Sequence, residues 1–285
     1  NNITNIYDAD EILYAVLLTF LSPIKFYFNN RVLRGWINTA IIGDSGTGKS
    51  ATYARLSDYL EIGDLFSCLT GSRTGLLYAI KQRGNDWFIS IGAYVRASGK
   101  IIALDEAQEI ASEDIKRAAI AMDTGHLNIE RVATGGFTTM TRAIFMLNPK
   151  DAFGKAATIS DFTYGCESLK RCFDPMFIRR LDLAVFTTSS HKHEFYNKRN
   201  ITKESGGISI TGRMLRSLIF WAWTRTIDNI KWNDDAIDHC LHKSTELSEI
   251  YGYADLVPLV SPQDFRENLA RLSTAYAVLC RNYDE

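Results

Sequence analysis

Beyond about residue 186, the spacing of apolar positions along the chain changes character. From Ile6 to about Phe186, short β-rich apolar runs alternate with stretches of helical period, the arrangement that builds a parallel sheet flanked by helices. The runs cover residues 39–42, 87–91, 101–104, 143–147 and 183–187. From Thr188 to about Gly212 the sequence turns polar: Ser189 and Ser190, then Lys192, Lys198 and Arg199, then Gly206 and Gly207. That composition predicts a linker or an ordered surface loop. From Met214 to Cys280 the period is helical throughout. Leu215, Leu218, Ile219, Trp221 and Ala222 open one helix; Ala236, Ile237, Cys240 and Leu241 mark a second; Phe265, Leu269, Leu272 and Tyr276 mark a third. The pattern predicts an α/β base over 1–190, a linker over 191–212 and a small helical domain over 213–285. Trp221, Trp223 and Trp232 have apolar, helical flanks and are expected in that domain's core.

Composition narrows the classes. With 285 residues, 46% of them apolar and 23% charged, the chain buries a real core and is neither disordered nor fibrous. Its 32 Lys+Arg against 33 Asp+Glu give a net charge of −1, which excludes a uniformly basic, nucleic-acid-coating surface. Any contact with DNA or RNA must come from local clusters. The longest apolar run, residues 12–21, is half of what a membrane span requires, and it follows Asp8, Asp10 and Glu11 where a signal peptide would carry basic residues. Cys68, Cys166, Cys172, Cys240 and Cys280 form no CxxC pair, so neither a disulfide framework nor a zinc ribbon is indicated. His239 and His242 fall on an acidic helix face more in keeping with a polar surface than with zinc. A soluble chain in a reducing, intracellular setting is expected, and a start at Asn1 suggests a segment of something longer.

Gly43, Asp44, Ser45, Gly46, Thr47, Gly48, Lys49 and Ser50 fit GxxxxGK[ST] between an apolar strand and a helix. Backbone N–H groups of such a loop curl around phosphates, and the helix N-terminus adds a favourable dipole. Lys49 would reach the β- and γ-phosphates of ATP and Ser50 would hold Mg²⁺. The run 101–104 ends in Asp105 and Glu106, carboxylates where open α/β sheets bind ligands. Asp105 would bind Mg²⁺ through water and Glu106 would act as general base on the attacking water. The run 143–147 ends in Asn148-Pro149, whose amide can hold the lytic water or sense the γ-phosphate.

In these blocks the sequence resembles the AAA+ ATPases and, within them, the MCM replicative helicases. Arg34-Gly35, residues 38–42 and Gly-Asp-Ser-Gly-Thr-Gly-Lys-Ser are similar to that family's RGDINVLL-GDPGTAKS block. Residues 87–94 resemble its WVLEGGAL, residues 145–149 its AAANP, and residues 175–183 (PMFIRRLDL) its PLLSRFDL. Arg271-Leu272-Ser273 with Ala275-Tyr276-Ala277 is similar to the RLSEAYA of its helical lid, and Ile6-Tyr7 sits where it has IYG. The resemblance implies an α/β P-loop fold with inserted β-hairpins and a small helical lid, ATP and Mg²⁺ as cofactors, and a ring, expected to be a hexamer. It implies that Arg180 is an arginine finger on the neighbouring subunit's ATP, where a guanidinium fork stabilises charge on the γ-oxygens. Read without the family, Arg179-Arg180 could equally cap a helix or pair with Asp174 and Asp182. Two hairpins would line the pore and grip DNA: one around Lys81-Gln82-Arg83-Gly84-Asn85-Asp86, the other through Asn128-Ile129-Glu130-Arg131, with Lys81, Arg83 and Arg131 as contacts. Ordinary surface hairpins with solvated charges are the alternative.

The sequence departs from the family in two places. The family's DEFDKM is here Asp105-Glu106-Ala107-Gln108-Glu109-Ile110, and its PRQLE lid arginine is replaced by Gln263. Arg266, one turn on, would substitute, or that sensor is absent. The expected function is therefore an ATP-hydrolysing ring motor that translocates on and unwinds DNA during replication, lacking the family's N-terminal DNA-binding region. Its divergence suits a motor from a mobile element or a virus. The alternatives are a protein-remodelling relative of the chelatase or MoxR type and a non-translocating helicase loader or initiator.

Overall fold

The computed structural model describes residues 9–71, 73–188, 211–252, 260 and 264–280. Along the chain, α1 (Asp10–Leu21) leads into a hairpin of β1 (Lys25–Phe28) and β2 (Arg31–Arg34), then β3 (Asn38–Gly43) and α2 (Lys49–Leu60). β4 (Asp64–Ser67) and α3 (Arg73–Leu76) precede a second hairpin, β5 (Tyr78–Arg83) and β6 (Asp86–Ile91), and the short α4 (Ala93–Arg96). There follow β7 (Ile101–Asp105), α5 (Ser112–Thr124), a third hairpin of β8 (His126–Glu130) and β9 (Thr134–Thr138), and β10 (Arg142–Leu147). α6 (Leu169–Cys172), α7 (Pro175–Ile178) and β11 (Leu183–Thr187) complete the α/β part; α8 (Gly212–Trp223), α9 (Asp234–Tyr251) and α10 (Phe265–Leu279) come after it.

Among the described residues, five strands form one parallel sheet in the order β11-β3-β10-β7-β4. Every residue of β3 and β10 is buried, because helices cover both faces of a parallel sheet and the strands read as continuous apolar runs. The two faces separate by period two. Ala40, Ile42, Leu104, Phe145 and Leu147 pack against α5 and α7, whereas Ile41, Ala103, Ile144 and Met146 pack against Val16 and Phe20 of α1 and Tyr53 and Leu56 of α2. This is the α/β P-loop architecture expected.

The run 87–91 is a strand but not in this sheet. It pairs antiparallel with β5 from Tyr78↔Ile91 to Arg83↔Asp86, leaving Gly84-Asn85 as a two-residue turn. Gly84 takes φ +63°, which a side chain at the first central position of such a turn would resist. A run of β-formers does not say which partner it will find, and this one finds its nearest neighbour in sequence. β4, conversely, went unforeseen: Asp64-Leu65-Phe66-Ser67 is a four-residue edge strand with an exposed Leu65, too short to show a period. The hairpin β8–β9 lies where a second insertion was expected, with residues 131–133 as its turn. The two hairpins touch, since Ile89 Cδ1 stands 3.0 Å from where a Cβ on Gly135 would be. Glycine lets them lie side by side.

The C-terminal helices are started by local signals: Thr211 caps α8 by accepting from Met214 N at 3.3 Å, and Asn233 caps α9 by accepting from Ala236 N at 2.8 Å. Residues 191–210 of the expected linker (191–212), together with Ile6, Tyr7 and Gln263, lie outside the described residues. α8 packs on α1 and α2, and α10 on α1 and α9. Two buried charges join these helices to the body. Arg142, opening β10, donates from Nε to Ser22 O (2.6 Å) and from Nη1 to Gly99 O (2.9 Å), with its guanidinium 4.5 Å from the Trp223 ring centroid. Burial pulls its pKa down to about 9, so at neutral pH it is a buried cation held by carbonyls and a ring face. Trp223 in turn donates to Phe20 O at 2.6 Å, near the C-terminus of α1. Asp182, just before β11, accepts from Arg34 and from Arg271 of α10. Burial alone would raise its carboxyl, but the two guanidiniums outweigh it and hold it below the usual carboxylate range. All three tryptophans are half-buried: Trp232 packs at 4.8 Å edge-on to Phe28 and against Cys240 and Ala270, Trp223 packs against the α1 face of the sheet and not in a core of the helical part, and Trp221 lies 4.7 Å from the Arg225 guanidinium. No helix among the described residues is long and apolar enough to cross a membrane.

Trp223→Leu removes both the ring under Arg142 and the hydrogen bond to Phe20. Chemical denaturation should show a loss of about 2–4 kcal/mol; a loss below about 1 kcal/mol would mean that Arg142 does not depend on the ring.

Candidate nucleotide site

Parallel register brings the carboxyl ends of β3, β7 and β10 to one edge, with Leu147 opposite Ile42. There the chain leaves β3 and turns through residues 44–48, with Gly46 at φ +80° and Gly48 at φ +84°, into α2. Gly48 is the N-cap and offers no side-chain bond, so the first N–H groups of α2 are left facing the loop. A cavity of about 280 Å³ opens over this turn, lined by residues 45–51, Asp105, Glu106 and 146–148. It occupies the crevice where open α/β sheets take ligands.

Lys49 is buried, and its Nζ donates to Gly43 O (2.7 Å), Asp44 O (3.0 Å) and Asn148 Oδ1 (2.9 Å). Ser50 Oγ donates to Asp105 Oδ1 at 2.7 Å, so hydroxyl and carboxylate already adjoin, as a shared divalent cation requires. Glu106 stands at φ +55°, a left-handed conformation that is costly for a non-glycine residue and concentrated at functional sites. Its own N–H donates to Asp105 Oδ1 at 3.1 Å. The uncapped helix end, the lysine, and the Ser50–Asp105 pair together fit a nucleoside triphosphate with Mg²⁺.

Two supporting residues escaped the sequence reading. Gln108 accepts from Asn148 N at 3.1 Å, and Lys150 donates to Gln108 O at 3.3 Å and pairs with Glu109 at 2.9 Å, bolting the turn after Glu106 to the end of β10. No motif marks Gln108. Cys68 sits beside Asp105, its N–H on Asp105 O at 2.9 Å; burial, and then the charges of Asp105 and Glu106, push its thiol up to about 12. It is protonated at neutral pH and no nucleophile. Asp44 has a different place from its neighbours in the motif. Its Oδ1 accepts from Ile159 N at 2.8 Å and its Oδ2 from Thr188 Oγ1 at 3.3 Å, so this carboxylate braces the loop from behind, and neither it nor Gly43 lines the cavity.

Arg180 is elsewhere. α7 is started by Asp174, which accepts from Phe177 N at 2.8 Å, with Pro175 at its first position. The Arg180 carbonyl accepts from Asn38 Nδ2 at 3.2 Å, and Asn38 begins β3, whose far end carries the phosphate loop. Six strand residues, roughly 20 Å, therefore separate Arg180 from its own chain's cavity. Its guanidinium pairs with Asp123 of α5 at 3.1 Å, not with Asp174 or Asp182. Arg266 is exposed in the first turn of α10 and is not among the cavity residues.

Lys81 and Arg83 are exposed on β5, and Arg131 is exposed in the β8–β9 turn. Lys81 faces Phe88 across the hairpin, and Arg83 faces Asp86. These four alternate onto one face. Phe88 is 44% exposed there, directly across from Lys81 and diagonal to Arg83, in a run whose period alone points to a sheet strand. His239 and His242 are exposed on α9, and no group of three or more His, Cys, Asp or Glu side chains placed to hold a metal ion occurs among the described residues.

The model of the MCM P-loop domain matches residues 2–184. Over 130 residues the chain is 28% identical to the DNA replication licensing factor Mcm6 of Drosophila pseudoobscura pseudoobscura, covering 45% of this chain and 16% of that protein. It is 24% identical over 157 residues to a probable DNA helicase MCM9 of Oryza sativa subsp. indica, covering 54% of this chain and 23% of that one. With the DNA replication licensing factor mcm5-A of Xenopus laevis it shares 25% identity over 195 residues, 67% of this chain and 25% of the relative. The matched segment thus spans a quarter or less of these relatives' lengths.

Because Asn148 Oδ1 holds Lys49, Asn148→Ala tests whether the amide serves binding or turnover. Nucleotide titration should show affinity within about threefold, while phosphate release falls on the order of 10²-fold. An equal fall in both would assign Asn148 to ground-state binding.

Proposed function

The chain belongs to the MCM family, and we propose on that footing that it is the motor of a ring-shaped DNA helicase, a homohexamer, that couples ATP hydrolysis to translocation on DNA during replication. The observation that carries this is the cavity: Lys49, Ser50, Asp105, Glu106 and Asn148 converge on one polar crevice over an uncapped helix end. Lys49 exchanges Asn148 and the loop carbonyls for the β- and γ-phosphates of ATP. Ser50 and Asp105 would hold Mg²⁺. That ion would supply neutralisation of phosphate charge. Glu106 takes the proton of the attacking water, and Asn148, released by Lys49, orients that water. Arg180 supplies the fork that stabilises γ-phosphate charge in a neighbouring subunit, since it lies at the wrong edge of the sheet to serve its own.

DNA is held at the paired hairpins. Lys81, Arg83 and Arg131 contact phosphates whatever the base sequence, and the exposed Phe88 stacks on an unpaired base, which favours single strands. An exposed aromatic would equally grip an extended polypeptide, as in a protein-remodelling relative. Lys81 directly across from Phe88, with Arg83 diagonal to it on the same strand, favours a chain that carries phosphates.

Single-stranded DNA should stimulate ATP hydrolysis by the assembled ring, and Lys81→Ala or Arg131→Ala should remove the stimulation. An unchanged rate in rings offered DNA rules out the helicase. Phe88→Ala should weaken single-strand binding roughly tenfold on ordinary oligonucleotides but hardly at all on an abasic tract. Equal losses on both would assign Phe88 to the hairpin's packing.

A further inference from the structure

Arg180, Leu181 and Asp182 have their polar groups held from two parts of the chain at once. From the α/β body, Asn38 Nδ2 donates to Arg180 O at 3.2 Å and Arg34 Nη2 approaches the same carbonyl at 3.5 Å. Arg34 also spans the Asp182 carboxylate, with Nη1 on Oδ2 and Nη2 on Oδ1, each at 3.0 Å, and Asn38 N donates to Oδ2 at 2.9 Å. From α10, Asn268 Nδ2 donates to Leu181 O at 3.4 Å and Arg271 Nε to Asp182 Oδ1 at 2.7 Å. Arg271 Nη2 donates back to Asn268 Oδ1, which aims the guanidinium, and Glu267 lies 3.7 Å from Nη1. The side chains of Asp182, Arg271 and Arg34 are 0%, 5% and 9% exposed.

Such a triad is a poor source of stability. Taking a carboxylate and two guanidiniums out of water costs about as much as their attraction returns, and apolar packing serves stability as well. A fully satisfied carboxylate does fix geometry, because each of its four bonds has one direction. The geometry fixed here is that of the backbone carrying Arg180. α7 and the Asp123 pair hold that residue from one side only, and the half-exposed ion pair is weak.

We propose that Arg271 of α10 and Arg34 of β2 are positioning residues for Arg180: by clamping Asp182 they set where its guanidinium is presented, so that a displacement of α10 is felt in the neighbouring subunit's cavity and not in its own. This rests on Arg180 acting across the subunit boundary, and the two claims separate in a mixing experiment. Arg271→Lys keeps the charge and loses the fork. Alone, it should cut turnover at least tenfold, while nucleotide affinity stays within about twofold and the melting temperature moves by a few degrees at most.

Mixed with Glu106→Gln subunits, which keep Arg180 and lose the base, Arg271→Lys should recover hydrolysis as Arg180→Ala does; mixed with Arg180→Ala, it should recover none. Arg34→Lys should behave the same way, approached from the body. Recovery with Arg180→Ala, no recovery with Glu106→Gln, or full activity of Arg271→Lys alone would each overturn the positioning role. If Arg180→Ala and Glu106→Gln fail to complement in stable mixed rings, action across the boundary falls, and the positioning role with it. Should a lysine variant lose its fold, Asn268→Ala, which removes the bond to Leu181 O, takes its place with the same expected pattern.

Discussion

A buried ammonium dictates the shape of the catalytic edge. Lys49 is taken out of water at the start of α2, and such a charge is tolerated only where acceptors converge on it. They come from the end of β3, through Gly43 and Asp44, and from the end of β10, through Asn148. Those strands are neighbours in the sheet, and their register sets Leu147 beside Ile42, so the residues that follow each strand meet at the same height. Asp44 braces the loop from outside and Gln108 ties Asn148 to the turn after Glu106. Loop, acidic strand and amide thus form one connected unit before any phosphate arrives. Neutral oxygens now hold the ammonium, and phosphate oxygens are stronger acceptors for the same donor.

The opposite edge of the sheet is organised around the reverse case, a buried carboxylate. Asp182 draws in Arg34, Asn38 and Arg271, and its depressed pKa records that cations outweigh the cost of burial. Arg142 joins α1, β10 and α8 at that end with carbonyls and a ring in place of a counter-ion. The sheet therefore has one edge built to receive anions and another that ties the C-terminal helices to the segment bearing Arg180.

What the sequence disclosed follows from the range of each interaction. The phosphate loop was legible because its chemistry is local: strand, turn and helix start lie within a dozen residues. Gly84-Asn85 announced its turn for the same reason. The Asp105–Glu106 strand end was legible as two carboxylates closing an apolar run, although Ser50 meets Asp105 across β10, which lies between β3 and β7. β4 was too short and too exposed to show a pattern, and the run at 87–91 looked like any sheet strand because period says nothing about partners. Least legible was the Asp182 cluster, whose members stand 148 and 89 residues from it. The acids nearest Arg180 in sequence were candidates to pair with it, yet Asp123, from another helix, does so. Asp174 and Asp182 had already been committed to a helix cap and a buried triad.

Charge closes the comparison between chain and assembly. The balance of 32 basic against 33 acidic residues is reproduced on the hairpins, where Arg83 faces Asp86 and Arg131 follows Glu130. Two of the three candidate DNA contacts have an acid beside them, so one subunit neutralises few phosphates and holds a strand weakly. On the proposed function, copies arrayed around a common strand add their small contributions, because after the first contact the others act at high effective concentration. The proposed role of Arg180 points the same way: it lies roughly 20 Å from its own cavity, across the length of β3, and on that proposal completes a neighbour's. On the proposed function both features, a neutral chain and an arginine remote from its own cavity, are met by one arrangement, a ring.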